Sequence, residues 1–189
     1  MSIESVTPTN TYLSHNSYMT NTKKKVLITI SGGGFMWQSN SVLQNLRGNS
    51  EVSIIVPNDT LLVISKLQLA EQLGKENIYH VEPVTTITDK RLLTILKRLK
   101  QTFKQCREII STVDPDYVVC IASSIAIPLF IAAKLKGKKT VFIESITRVH
   151  KPSLTGKILD RTRLCNRLYV QWPEVQNQYR RAIYKGTII

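Results

Sequence analysis

Cysteine is scarce: three thiols, Cys106, Cys120 and Cys165, fall at irregular spacings in 189 residues. That excludes a disulfide scaffold and provides no paired zinc-ligand spacing, and it suits a reducing, cytoplasmic environment. No metal and no cofactor is expected. Glycine and proline number only 8 and 7, which removes collagen-like and low-complexity architectures. Aromatic residues are 7% of the chain, without a stacking pattern, a zinc-finger spacing or an RNA-recognition signature, so nucleic acid is not an expected partner. No apolar run is long enough to span a bilayer. The longest, 118–133, is interrupted by Ser123, Ser124 and Pro128 and falls short of the roughly 18 residues a spanning helix needs; it reads as a buried strand followed by a helix. Residues 1–22 lack even a signal-peptide core and read as a disordered polar tail, leaving 23–189 as a single domain.

Acidic residues are the other shortage. Against 13 of them stand 26 lysines and arginines, a net charge of +13, and such a field favours nucleic acid, anionic lipid or phosphorylated substrates. Hydrophobic residues at 42% supply a core of ordinary proportions.

From Lys25 onward β-branched runs alternate with helical patterns. Strands are expected over 26–30, 52–56, 78–82, 117–121, 141–144 and 168–171, and helices near 37–47, 61–73, 89–112, 125–135 and 154–164, with a last one starting at Pro173. Continuous apolar strands between helices specify an α/β fold, a Rossmann-like parallel sheet with helices on both faces. Such sheets bind ligands beyond the carboxyl ends of their strands.

The first such turn is Ser31-Gly32-Gly33-Gly34. Three glycines permit close backbone approach, and the next helix would turn its free N–H groups toward an anion such as a diphosphate; a merely flexible turn is the alternative. The dinucleotide fingerprint fails at Trp37 and no Gly-Lys-Ser/Thr closes a P-loop, which disfavours a nicotinamide or P-loop nucleotide site. After the fourth strand come Ser123 and Ser124, where Ser124 reads as a helix N-cap with a ligand contact as the alternative. The fifth strand ends in Glu144-Ser145-Ile146-Thr147-Arg148-Val149. There Glu144 is the candidate catalytic base and Arg148 a phosphate clamp, or the two form a structural pair.

Taken together, Pro115-Asp116-Tyr117, Ile143 to Val149, Ser153-Leu154-Thr155-Gly156-Lys157, Val170-Gln171-Trp172-Pro173-Glu174 and Tyr184-Lys185-Gly186 resemble one family. It is the acceptor-binding, membrane-docking subunit of the split N-acetylglucosaminyltransferase of lipid-linked oligosaccharide assembly, with its bacterial exopolysaccharide and capsule relatives. The resemblance implies the N-terminal, acceptor-side half of a glycosyltransferase-B fold, inactive without a separate nucleotide-sugar-binding subunit. It implies transfer of a sugar from a UDP-sugar to a polyprenyl-diphosphate-linked saccharide, with Gly32, Gly33, Gly34, Ser123, Ser124 and Arg148 toward the acceptor. Where the family has Gly-Gly-His this chain has Gly33-Gly34-Phe35, which leaves Glu144 as the base and His150 as a more distant choice. A basic nucleic-acid-binding protein and a stand-alone nucleotide-binding Rossmann enzyme are the alternatives.

The helix expected over 89–112 carries Leu92, Leu96, Leu99, Phe103, Cys106 and Ile110 on one stripe, flanked by Lys90, Arg91, Lys97, Arg98, Lys100, Lys104 and Arg107. Either the basic face is simply solvated, or Lys97, Arg98, Lys100 and Lys104 meet an anionic membrane surface, which would make the protein peripheral on the cytoplasmic face of the plasma membrane. Near the C-terminus Trp172, Tyr179, Ile183, Ile188 and Ile189 are candidates for a partner surface, with packing on the protein's own sheet as the alternative.

Overall fold

The computed structural model describes residues 23–84 and 92–188. The expected tail at 1–22, Lys90, Arg91 and Ile189 lie outside the described residues. The chain runs β1 (Lys24–Thr29), α1 (Gly34–Arg47), β2 (Ser50–Pro57), α2 (Leu62–Lys66), α3 (Leu69–Leu73), β3 (Ile78–Val81), α4 (Leu92–Val113) and β4 (Tyr117–Ile121). It continues with α5 (Ala126–Leu135), β5 (Lys139–Ile143), α6 (Leu154–Thr162), β6 (Arg167–Val170), α7 (Pro173–Gln176) and β7 (Ala182–Tyr184).

The strands form one sheet in the order β3-β2-β1-β4-β5-β6-β7, with every neighbouring pair parallel. Alternation along β1 explains the two layers: Val26, Ile28 and Ile30 pack with Met36 and Leu43 of α1 and with Val63, Leu67 and Leu69. Leu27 faces the opposite way, into the cluster built from α4, α5 and α6. Burying each such side chain contributes about 1.5–3 kcal/mol. The architecture is the Rossmann-like α/β sheet covered on both faces that the sequence predicts.

Three local expectations are corrected. The single helix over 61–73 is two helices, broken at Gln68, whose φ is 49°. In a continuous helix Leu67 and Leu69 would point to nearly opposite sides; the left-handed residue between them lets both enter the core, at 6% and 0% exposure. Ser124 is not the N-cap of α5: that position is Ile125, and Ser123 Oγ instead accepts from the Ile125 N–H at 3.4 Å. Finally, β7 extends the sheet beyond the expected strands, Ala182 pairing with Leu168 and Tyr184 with Val170.

Candidate functional site

The strand order reverses direction between β1 and β4, so the turns leaving those two strands diverge and open a crevice at the carboxyl edge of the sheet. A cavity of about 390 Å³ occupies it, lined by Ser31 and Gly32 of the glycine turn, by Ala122, Ser123 and Ser124, and by Arg148, whereas Gly33 and Gly34 do not line it. The sequence-predicted turns thus converge on one space.

Each wall has a physical reason for its residues. Gly33, with φ 67° and ψ −147°, occupies a conformation open to glycine, and it precedes α1 directly. A Cβ on Gly32 would stand 2.8 Å from Thr60 Cγ2, so this glycine is the price of pressing the β1 turn against the turn after β2. Helix α1 has no acidic residue in its first turn and no side-chain cap, which leaves its leading N–H groups and positive dipole end available to an anion. Ser31 also lines the cavity; it is 8% exposed, and its hydroxyl has no hydrogen-bond partner. Ala122, at the opposite lip, holds φ 52°, a left-handed conformation that costs a non-glycine residue of order 1 kcal/mol.

Arg148 is exposed and its loop is fixed from behind. The Arg148 N–H donates to the Ser145 carbonyl at 3.0 Å, while the Ile146 N–H donates to Gln38 Oε1 at 2.9 Å. Trp172 Nε1 donates to the Ile146 carbonyl at 2.5 Å. Gln171, almost wholly buried, donates to both Gln38 Oε1 and the Glu144 carbonyl at 2.8 Å, and its own oxygen accepts from the Ile188 N–H at 3.1 Å. The Gln-Trp-Pro element therefore braces the loop that presents the guanidinium.

Glu144 stands elsewhere than expected. It is fully buried and is not among the residues lining the cavity. Its Oε1 accepts from the Ser145 N–H at 2.9 Å. Its Oε2 accepts from the Ser153 N–H at 3.1 Å, from Ser153 Oγ at 2.7 Å and from the Tyr179 hydroxyl. Ser153 in turn caps α6, its Oγ accepting from the Gly156 N–H at 2.9 Å. This carboxylate ties β5, α6 and the segment after α7 into one knot, a positioning geometry rather than that of a base facing an acceptor. Burial, then the neighbouring carboxylate, push the Tyr179 phenol far above its ordinary 10.0, so it stays a hydrogen-bond donor. Neither Glu144 nor Arg148 pairs with the other: among the described ion pairs there is none between them.

The expected partner residues separate. Tyr179 points inward at 7% exposure, and Trp172 is half-buried and packs against the core. Ile183 is half-buried in the edge strand β7, and Ile188 is half-buried with its carbonyl held by Ser41 Oγ at 2.5 Å. On α4, Lys97, Lys100 and Lys104 line a groove of about 690 Å³ with Phe103 and Arg107; Arg98 is half-buried beside it. Thr102 Oγ1 and Gln105 Oε1 bond the backbone of Glu82, immediately after β3. The turns of α4 before Thr102 therefore rise past the carboxyl edge of the sheet by roughly 15 Å, at 1.5 Å per residue. Trp37, Leu61, Leu62, Leu93, Leu96 and Leu154 are all exposed, and all lie on segments that leave this same edge. Among the described residues no helix is long and apolar enough to cross a membrane, and no group of metal-ligating side chains occurs.

The family profile described as "Oligosaccharide biosynthesis protein Alg14 like" matches residues 26–188. The chain is 37% identical over 87 residues to the UDP-N-acetylglucosamine transferase subunit ALG14 of Homo sapiens, covering 43% of this chain and 39% of that protein. It is 37% identical over 79 residues to the corresponding subunit of Schizosaccharomyces pombe, covering 39% and 37%. The matches thus span about two fifths of the length of these relatives. Among solved structures, MurG of Acinetobacter baumannii superposes with a TM-score of 0.64 at 18% identity, over 88% of this chain and 46% of that one. A UDP-N-acetylglucosamine 2-epimerase from Rickettsia bellii superposes with a TM-score of 0.61 at 10% identity, over 88% and 45%. At these identities the likeness is one of fold, that of one half of the glycosyltransferase-B architecture.

Proposed function

Because the chain belongs to the Alg14-like family of oligosaccharide biosynthesis proteins, we propose that it is the acceptor-binding, membrane-docking subunit of a two-component glycosyltransferase. In this reading a separate nucleotide-sugar-binding subunit closes over the carboxyl edge of the sheet and brings a UDP-sugar to a saccharide carried on a polyprenyl diphosphate. The chain alone is inactive. The observation that carries the reading is the crevice itself: Ser31 and Gly32 of the glycine turn, Phe35 in the uncapped first turn of α1, Ser123 and Ser124 line one cavity with Arg148. That is a suitable cradle for the phosphates of a lipid-linked acceptor.

Two further features support it. The apolar residues exposed on that edge and the basic first half of α4 suit a site that must reach a membrane-bound substrate, and support the reading of a peripheral protein on the cytoplasmic face of the plasma membrane. The half-buried Ile183 and Ile188 near β7 offer the second subunit an apolar margin, with Ile189 following. Glu144 takes the positioning role that its burial and hydrogen bonds support, holding the Arg148 loop to α6.

The test is co-expression with neighbouring reading frames and affinity purification from the membrane fraction, followed by assay of UDP-sugars on polyprenyl-diphosphate saccharides. The expected result is a stoichiometric nucleotide-sugar-binding partner and transfer only when both chains are present. Transfer by this chain alone would favour a stand-alone enzyme. Retention on DNA with a steep salt slope, and no transfer, would favour the nucleic-acid reading.

A further inference from the structure

Phe35, in the first turn of α1, lines the cavity, and its phenyl ring offers the attacking hydroxyl no proton acceptor. Neither described histidine, His80 nor His150, lines the cavity, and Glu144 lies beneath it. Among the described residues that line it, Asp59 is the only carboxylate. Resting on the reading under Proposed function, we infer that Asp59 is the general base of the transfer.

Its placement is built. Asp59 sits at the centre of the 3-10 turn Asn58–Thr60, which leaves β2 at the switch-point edge. Thr60 Oγ1 donates to the Pro57 carbonyl at 3.0 Å, and Asn58 Nδ2 donates to Glu82 Oε1 at 2.7 Å. Thr60 is pressed against Gly32, where a Cβ would find its methyl at 2.8 Å. The turn is thereby held on both sides and against the glycine loop, while the Asp59 carboxylate, exposed at the centre, engages in none of the turn's hydrogen bonds and keeps its lone pairs for substrate. Arg148 and the α1 terminus supply the opposite charge for the acceptor's phosphates in the same cavity, so the acceptor is held by cationic groups and deprotonated by the carboxylate of Asp59.

In the step, the acceptor hydroxyl oxygen forms a bond to the anomeric carbon of the UDP-sugar. Its proton passes to the Asp59 carboxylate. The bond from the anomeric carbon to the β-phosphate oxygen breaks, and its electron pair leaves with UDP.

The experiment uses the co-purified two-chain complex with Asp59→Asn, and Glu71→Gln as an exposed carboxylate of α3 outside the cavity. The Asn58–Thr60 contacts do not involve the Asp59 side chain, so D59N is expected to fold and to co-purify as the parent does. It should lower kcat by about 10²-fold or more, with the acceptor KM changed less than about threefold. E71Q should stay within about twofold of the parent. A D59N complex retaining more than roughly a third of the parental kcat overturns the inference, as does a loss that appears in the acceptor KM instead. A parental complex inactive on every UDP-sugar overturns the two-component reading itself, and the role of Asp59 with it.

Discussion

Gly156 illustrates how one missing side chain organises the ground behind the crevice. A Cβ there would meet the Tyr179 hydroxyl first, then Glu144 Oε2 at 2.7 Å and Ser153 Oγ at 3.1 Å, so the glycine is what lets α6 start against a buried carboxylate. Gly156→Ala is therefore expected to lower stability by about 1–3 kcal/mol, as overpacking does, measured by urea unfolding. Tyr179→Phe removes a donor to a buried charge and should cost about 1.5–3 kcal/mol by itself. Since it also removes the nearest obstacle to the new methyl, the double variant should be more stable than the sum of the two losses. Additive losses would mean that the methyl is accommodated elsewhere. From sequence, the ordered Glu-Ser-x-x-Arg, Ser-Leu-Thr-Gly and Gln-Trp-Pro segments were legible as parts of one site. Their division of labour was not. Strand-end position marks Glu144 as a candidate base, but only the fold reveals that Ser153 and Tyr179 surround its oxygens. Asp59 was passed over because an acidic residue in a polar turn looks the same whether it is solvated or lines a crevice.

At the scale of elements, periodicity located what is continuous and missed what tertiary pairing alone creates. Strand β4 over Tyr117–Ile121 coincides with its expected limits, since β-branched residues occupy both faces there. Strand β7 has three residues, Ala182–Tyr184, too few to carry a period, and exists through its pairing with β6. The break at Gln68 likewise follows from burying Leu67 and Leu69 together. In α4 the periodic stripe is uniform but its environment is not: Cys106 and Ile110 are fully buried, whereas Leu96 is 52% exposed and Leu93, beside the stripe, 81%. A stripe that changes from core to surface along one helix is suited to anchoring at one end and docking at the other. Lys97→Gln with Lys100→Gln should weaken binding to vesicles containing roughly one-third phosphatidylglycerol by about tenfold or more, at about 1 kcal/mol for each charge. Leu96→Asn should weaken it without altering its salt dependence. Sedimentation with vesicles at several salt concentrations measures both, and unchanged binding in the double lysine variant would remove α4 from the docking surface.

For the whole molecule, the excess of positive charge lies outside a core that holds three thiols. Cys106 and Cys120, on α4 and β4, belong to the same packed cluster, and all three cysteines are free and buried. Burial, with Cys120 nearby, pushes the Cys106 thiol from 9.0 up to about 12; burial also raises Cys120 to about 12, against partial relief from neighbouring hydrogen bonds. In the unfolded chain both would ionise near their ordinary values. Above pH 9 the folded state thus retains protons that the unfolded state has released, and stability falls as pH rises. The contribution is fully present below pH 9 and lost progressively toward pH 12, at a limiting slope of about 1.4 kcal/mol per pH unit for each thiol. Tyr179, raised above its ordinary 10.0, adds to the decline in the same direction at higher pH. Against a total stability of about 5–15 kcal/mol, the roughly 6 kcal/mol that the two thiols remove by pH 11 is a large share. Urea titrations between pH 8 and 11 should show this decline, and a Cys106→Ala, Cys120→Ala chain should start less stable yet lose stability more gradually. Equal slopes in the two proteins would mean that the thiols ionise without unfolding and that the alkaline limit is set by the lysine-rich exterior instead.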